Sequence, residues 1–212
     1  MHKKIAIFLV GGFLFLSFII FSYFVNKDVF THIDFDTTVR LQDKIPRRVD
    51  TMFSFFSEVG SFEVSFVVLF LLIGVLVWKK KLIAAFLVFT FFGFFHLIEL
   101  FGKRFVDHFP PPQFMLRTED QVAFPQFHIR EENSYPSGHS GRAAFFTALI
   151  AFMVLYSKKL SMTQKVIILS ILAIYTLTMF VSRIYLGEHW MTDVVGGAIL
   201  GIAFAFLAAI SL

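Results

Sequence analysis

The chain reads as an all-α, polytopic membrane protein with six transmembrane helices and an outward-facing active site. Three observations carry this reading. Hydrophobic residues make up 57% of the 212 positions and charged residues only 16%, whereas about a quarter of an ordinary soluble domain is charged. The apolar residues gather into six long runs without strand-like alternation. The short loops on one side of those runs carry lysine and no acid. There are no cysteines, which excludes disulfides and thiolate chemistry. No basic tract resembles a nucleic-acid patch, and the net charge of +4 fits membrane orientation better.

A spanning helix takes roughly 20 residues. The first run, Ile5–Val25, follows Met-His-Lys-Lys. It is longer than a signal-peptide core, and YFVNKD follows it in place of a small-residue cleavage site, so we expect an uncleaved anchor. The second and third, Ser61–Trp78 and Leu82–Phe101, are separated only by Lys79, Lys80 and Lys81 and should form a hairpin. The fourth, fifth and sixth are Ser140–Tyr156, Val166–Val181 and Thr192–Leu212. Lipid offers backbone groups no hydrogen-bond partners, so each run is a helix. In the sixth, Gly197 and Gly201 form a small-xxx-small pair suited to close packing inside the bundle or, less simply, to a dimer face.

With a cytoplasmic amino terminus, Lys3, Lys4, Lys79, Lys80, Lys81, Lys158, Lys159 and Lys165 all fall inside. The acids Asp28, Asp34, Asp36, Asp43, Asp50, Glu119, Asp120, Glu131 and Glu132 fall outside. Both termini are then cytoplasmic, and segments 26–60 and 102–139 face outward. Val39, Leu41, Ile45, Val49 and Phe53 recur at helical spacing around Pro46, which predicts an amphipathic outer helix acting as a cap or a lipid gate.

Three polar stretches share that outer side. SRIYLGEHWMTD, Ser182–Asp193, joins the last two runs. Its His189 and Asp193 are four apart, as on one helix face. A carboxylate behind a histidine fixes the imidazole tautomer, and Arg183 offers a planar fork for phosphate oxygens. Charged groups at a membrane boundary are functional candidates by default. We read His189 as a nucleophile toward phosphorus. At the end of the third run stand Glu99, Lys103 and Arg104. Glu99 and Lys103 are placed to pair, while Lys103 and Arg104 read either as phosphate-binding cations or as snorkelling interfacial residues. Opening the fourth run is YPSGHS, where Ser137, Gly138 and free helix-end amides suit an anion and His139 can protonate a leaving oxygen; an ordinary N-cap is the competing reading. A zinc site at His139, His189 and Asp193 is disfavoured, because Lys103 and Arg183 repel a cation. Ser137 lacks the strand-to-helix elbow of a serine nucleophile.

These stretches resemble the type 2 phosphatidic acid phosphatase superfamily, whose signature is KxxxxxxRP, PSGH and SRxxxxxHxxxD. Pro136, Ser137, Gly138 and His139 match the second motif, and Ser182, Arg183, His189 and Asp193 the third. The first departs: Lys103 is present, but Pro110 stands where arginine is expected. Arg104, Arg117 and Arg130 are the candidate replacements. The likeness covers roughly residues 60–212 and is nearest to the integral-membrane branch that includes bacterial phosphatidylglycerophosphatases. It implies one phosphatase domain over 1–212, with 1–60 as anchor and outer loop and 61–212 as the catalytic core. It implies that His189 forms a phosphohistidine, that Asp193 orients it and that His139 protonates the leaving group. Lys103, Arg183, Ser137 and the Gly138 amide would hold the phosphoryl oxygens, with Arg104 as a further cation. It implies no metal and no cofactor. The substrate implied first is phosphatidylglycerophosphate, with undecaprenyl pyrophosphate as the alternative. Transfer to another lipid headgroup and non-catalytic lipid binding are the remaining classes.

Other polar residues receive plainer readings. His96, one turn from Glu99, is structural. His32, His108 and His128 are loop residues, and His2 is remote from catalysis. Glu188 is a solvated acid, and Tyr185 and Trp190 are interfacial anchors.

Overall fold

The computed structural model describes residues 2–117 and 133–212, and among these every regular element is helical. Eight α-helices follow one another: α1 (His2–Val25), α2 (Thr31–Lys44), α3 (Asp50–Val59), α4 (Phe62–Trp78), α5 (Leu82–Phe105), α6 (Gly138–Tyr156), α7 (Met162–Tyr185) and α8 (Met191–Ala208). Five of them, α1, α5, α6, α7 and α8, are long and apolar enough to span a bilayer. The sixth expected span, α4, has 17 residues and qualifies only together with the preceding Arg47–Val59 stretch, from which it is bent by 48°. Ser61 makes the break: its hydroxyl accepts the Val64 N–H and starts α4 afresh.

The bundle is organised around α8. Sixty-one per cent of its spanning window is buried, as for α6, against 17% for α1 and 11% for α7. α1, α5 and α6 pack directly on α8, and the main core joins Leu200, Phe204 and Ala208 to Phe18, Phe92, Phe95 and Phe145. α7 keeps an outward stripe of Ile167, Ile171, Ile174 and Leu177, as a lipid-facing helix should. Gly197 and Gly201 serve packing inside the bundle. A Cβ on Gly197 would lie 2.3 Å from the Ser137 carbonyl oxygen, and one on Gly201 2.1 Å from that of Gly141. The two backbones therefore touch, and no other residue leaves the space.

The lysine-bearing loops lie at the opposite end of the bundle from α2 and α3. There Lys3 sits over the Tyr156 ring, 3.2 Å from its centroid, and Lys81 Nζ donates to the Leu212 carbonyl at 3.1 Å. α7 opens at this end on a capping box, Ser161 with Gln164.

The segment after α1 differs from the single amphipathic helix expected. It forms α2, a 3₁₀ turn at Arg47–Val49 and α3, divided at Pro46. The inward face of α2 carries polar residues: Asp34 and Thr38 are buried, while Ile33 and Phe35 are exposed. Gln42 donates to the carbonyls of Met115 and Tyr185 at 2.7 and 2.9 Å. The apolar period does turn inward: Val39, Leu41, Ile45 and Val49 are half-buried, and Ile45 and Val49 pack against Phe53, Tyr185 and Leu186, while the polar residues between them add hydrogen bonds to the bundle. Replacing Gly201 by alanine should lower stability by about 1–3 kcal/mol through overpacking against α6, measurable as a drop in thermal midpoint in detergent.

Candidate active site

Three segments meet at the α2–α3 end of the bundle: the last turn of α5, the start of α6, and the α7–α8 turn. Their junction is fixed by backbone. The Ser137 N–H donates to the Asp193 carbonyl at 3.0 Å, and both the Glu188 and His189 amides reach the Arg183 carbonyl at 3.3 Å. Tyr135, fully buried, stacks on Phe18 and shares a 2.8 Å hydrogen bond with the Ser22 hydroxyl, tying the approach to α6 onto α1.

Asp193 is buried in the first turn of α8. Its Oδ2 accepts the Trp190 N–H at 2.9 Å and His189 Nδ1–H at 3.3 Å. That leaves His189 Nε2 as the free ring nitrogen. Burial pushes the His189 pKa below the ordinary histidine range; the bond to Asp193 and its charge oppose the shift, and Arg183 and Lys103 add to it. His139, half-buried, has Arg183, Arg142, His189 and Lys103 as its charged neighbours. Ser137 is buried, and its hydroxyl caps α6 by accepting the Ser140 N–H at 3.4 Å.

Arg183 is almost completely buried. Its guanidinium donates to the Ser57 hydroxyl and pairs with Glu188, while its Nε–H has no partner among the described residues. Glu188 is therefore a partner of the arginine and not the solvated acid expected. Gly138 also has a packing reason: a Cβ there would collide with the Glu99 carboxylate and lie 2.8 Å from Arg142. Glu99 turns to His96 (2.9 Å) and Arg142 (3.6 Å), with Lys103 also acting on its charge. His96 is thus a structural partner of Glu99.

The substitutes weighed for the absent arginine lie elsewhere. Arg104 is exposed and is not among the groups that act on either site histidine. Arg117 is engaged with Tyr185, its guanidinium 5.0 Å from the ring centroid. Arg130, like His128 and the acids at 119, 120, 131 and 132, lies outside the described residues. A second buried cation near the site is Arg142, one turn into α6, whose Nε donates to the Gly60 carbonyl at 3.1 Å. An arginine inside an apolar run was its only sign in the sequence. Tyr185 is no interfacial anchor: it is fully buried and its hydroxyl donates to Asp50. Trp190 is half-buried, with its indole N–H on the Phe109 carbonyl at 2.7 Å.

His108 is the largest departure from the loop role expected of it. It is buried, with Nδ1 2.8 Å from Asp193 Oδ1 and Nε2 3.6 Å from Asp34 Oδ2. Burial alone would lower its pKa, but the bonds to Asp193 and Asp34 and their charges outweigh it and raise the value to about 9. The imidazolium therefore stabilises the fold below the ordinary histidine pKa near 6.5, and that contribution is lost as pH rises through about 9. Thermal midpoints in detergent should decline across this window, and His108→Gln should flatten the decline.

Comparison with known proteins follows this geometry. Residues 81–212 match the PAP2 superfamily. Phosphatidylglycerophosphatase B of Bacillus subtilis is 36% identical over 74 residues, 35% of this chain and 36% of that protein. Dihydrosphingosine 1-phosphate phosphatase YSR3 of Saccharomyces cerevisiae is 30% identical over 88 residues, 42% of this chain and 22% of that protein. The alignments thus span well under half of these relatives' lengths. Among solved structures, the transmembrane PAP2 type phosphatidylglycerolphosphate phosphatase from Bacillus subtilis superposes with a TM-score of 0.72 at 22% identity, covering 98% of this chain and 94% of that one. LpxE of Aquifex aeolicus gives 0.56 at 24% identity, covering 83% and 94%. Both share the fold. The family match covers more than half of the chain, and the chain belongs to the PAP2 superfamily.

Proposed function

We propose that this chain is a metal-independent lipid phosphate phosphatase that converts phosphatidylglycerophosphate to phosphatidylglycerol and phosphate. The observation that carries the reading is His189, buried, held at Nδ1 by Asp193, and set beside a buried arginine with an unpartnered Nε–H. His189 Nε2 attacks phosphorus as the ester P–O bond breaks, and His139 gives its proton to the departing alkoxide. The product is a phosphohistidine, with Asp193 balancing the imidazole's positive charge. Water then attacks phosphorus, giving its proton to His139; the P–N bond breaks and neutral His189 returns. Arg183, Lys103, Ser137 and the amides at the start of α6 stabilise the transferring group, and Arg142, paired with Glu99, adds positive charge near His139.

The relatives named for lipid phosphates support a lipid substrate, and the first of them supports the choice of headgroup. We read residues 1–212 as one phosphatase unit, since α1 and α2 are bonded to the catalytic helices. We place both termini in the cytoplasm and the site on the extracytoplasmic side, because the lysine-rich loops lie at the far end from His189.

Purified protein should release phosphate from phosphatidylglycerophosphate faster than from phosphatidate, diacylglycerol pyrophosphate or undecaprenyl pyrophosphate, without an acceptor lipid. Preference for the last would reassign the substrate, and acceptor-dependent turnover would make it a transferase. His189→Ala should fall to background in protein that still folds; near-normal turnover there would sink the mechanism. Asp193→Asn should slow the reaction by about 10²- to 10⁴-fold without abolishing it. Since His189 must be neutral to attack and burial lowers its pKa, the enzyme's own acid limb in kcat/KM should lie below about pH 6.5.

A further inference from the structure

His108 has no part in the steps above, yet it is buried and rigidly held. Its N–H donates to the Asn133 side chain at 3.1 Å, and its carbonyl accepts both the backbone N–H and the hydroxyl of Ser134, at 2.9 and 3.1 Å. The ring stands between two carboxylates from different helices. Nδ1–H reaches Asp193 Oδ1 of α8 at 2.8 Å, and Nε2–H points to Asp34 Oδ2 of α2 at 3.6 Å. Asp34 is itself anchored by the Thr192 N–H at 2.8 Å and the Thr192 hydroxyl at 2.6 Å. The second oxygen of Asp193 takes His189. A row of alternating charge, Asp34–His108–Asp193, therefore ends on the nucleophilic ring.

We propose that His108 is a positioning residue for phosphoryl transfer: it occupies one oxygen of Asp193 so that the other faces His189, and its positive charge, held by Asp34, limits how strongly Asp193 draws a proton onto His189. The inference rests on His189 being the nucleophile. A protonated imidazole has no lone pair to attack with, so an uncompensated aspartate behind it fixes the tautomer but fills the reactive nitrogen at moderately low pH. A cation on the far side of the carboxylate retains the orientation and weakens that pull. With a pKa raised to about 9, His108 stays charged across the working range. The other charged groups facing His189 are Arg183 of α7, Lys103 of α5 and His139 of α6. His108 itself faces Asp34, Asp193 and the edge of the Tyr135 ring, 6.4 Å between centroids.

The test is the pH profile of kcat/KM for phosphate release from phosphatidylglycerophosphate in detergent, for wild type, His108→Gln, His108→Ala, Asp34→Asn and His189→Ala, with the thermal midpoint of each. The substrate's own phosphate titration, near pH 6, is common to every arm. Glutamine keeps a donor for Asp193 without the charge, and its acid limb should move up by about one unit. Asparagine at 34 retains an acceptor for Thr192 and removes a negative charge, while Asp193, the nearer carboxylate at 2.8 Å, still holds the charge on His108, so its limb should move down. A purely structural histidine predicts no such opposed movement. Limbs unmoved in both variants, or moved in the same direction, overturn the proposal, as does failure of all three substituted proteins at 108 and 34 to fold. If only His108→Ala fails to fold, the other two decide. Turnover by His189→Ala would instead sink the nucleophile reading, whereas an inactive His189→Ala with unmoved limbs sinks only the role of His108.

Discussion

Everything at the polar end of this bundle hangs on the buried carboxylate of Asp193. An isolated carboxylate at that depth is expensive, and it persists only where donors surround it. Three reach it: His108, His189 and the Trp190 N–H. Its carbonyl meanwhile takes the Ser137 N–H. One residue thus joins the α7–α8 turn, the α5–α6 connection and the start of α6. Because it lies in the first turn of α8, the helix dipole adds to its stabilisation. The chain satisfies one charge, and in doing so it fixes the geometry of two histidines.

That arrangement needs α6 and α8 in backbone contact, and glycine makes the contact. Gly141 on one side and Gly197 and Gly201 on the other remove the side chains that would hold the helices apart. Lipid offers little hydrophobic drive between helices, so close packing and hydrogen bonds must supply it. Gly138 serves the contact of α6 with α5, where the space of a missing side chain is taken by Glu99 and Arg142. A second polar layer, His96–Glu99–Arg142, therefore lies beneath the first without leaving a charge unpaired.

α2 shows how a short helix can be part of such a site without being apolar toward it. Its Asp34 caps the start of α8 through Thr192 and meets His108, and its Gln42 bonds two carbonyls. It behaves as a strap across the polar end. Ile33 and Phe35 face away from the bundle, while Ile45 and Val49, from the predicted apolar period, pack on Phe53, Tyr185 and Leu186.

Sequence alone determined the helical class, the long apolar spans and the stretches that meet at the polar end. Lipid permits few backbone solutions, so composition and run length suffice there. Local spacing placed His189 over Asp193, since four residues make one helical turn. Only the tertiary structure decided which loop histidine shares that aspartate, that Glu188 answers Arg183, that Tyr185 is buried against Asp50 and that Arg142 is a second buried cation beside the site. Those partners are separated by five to well over a hundred positions and follow no helical or strand period. They are set by how α2, α3, α5 and α6 close over α8, and a contact made by closure leaves no pattern along the chain.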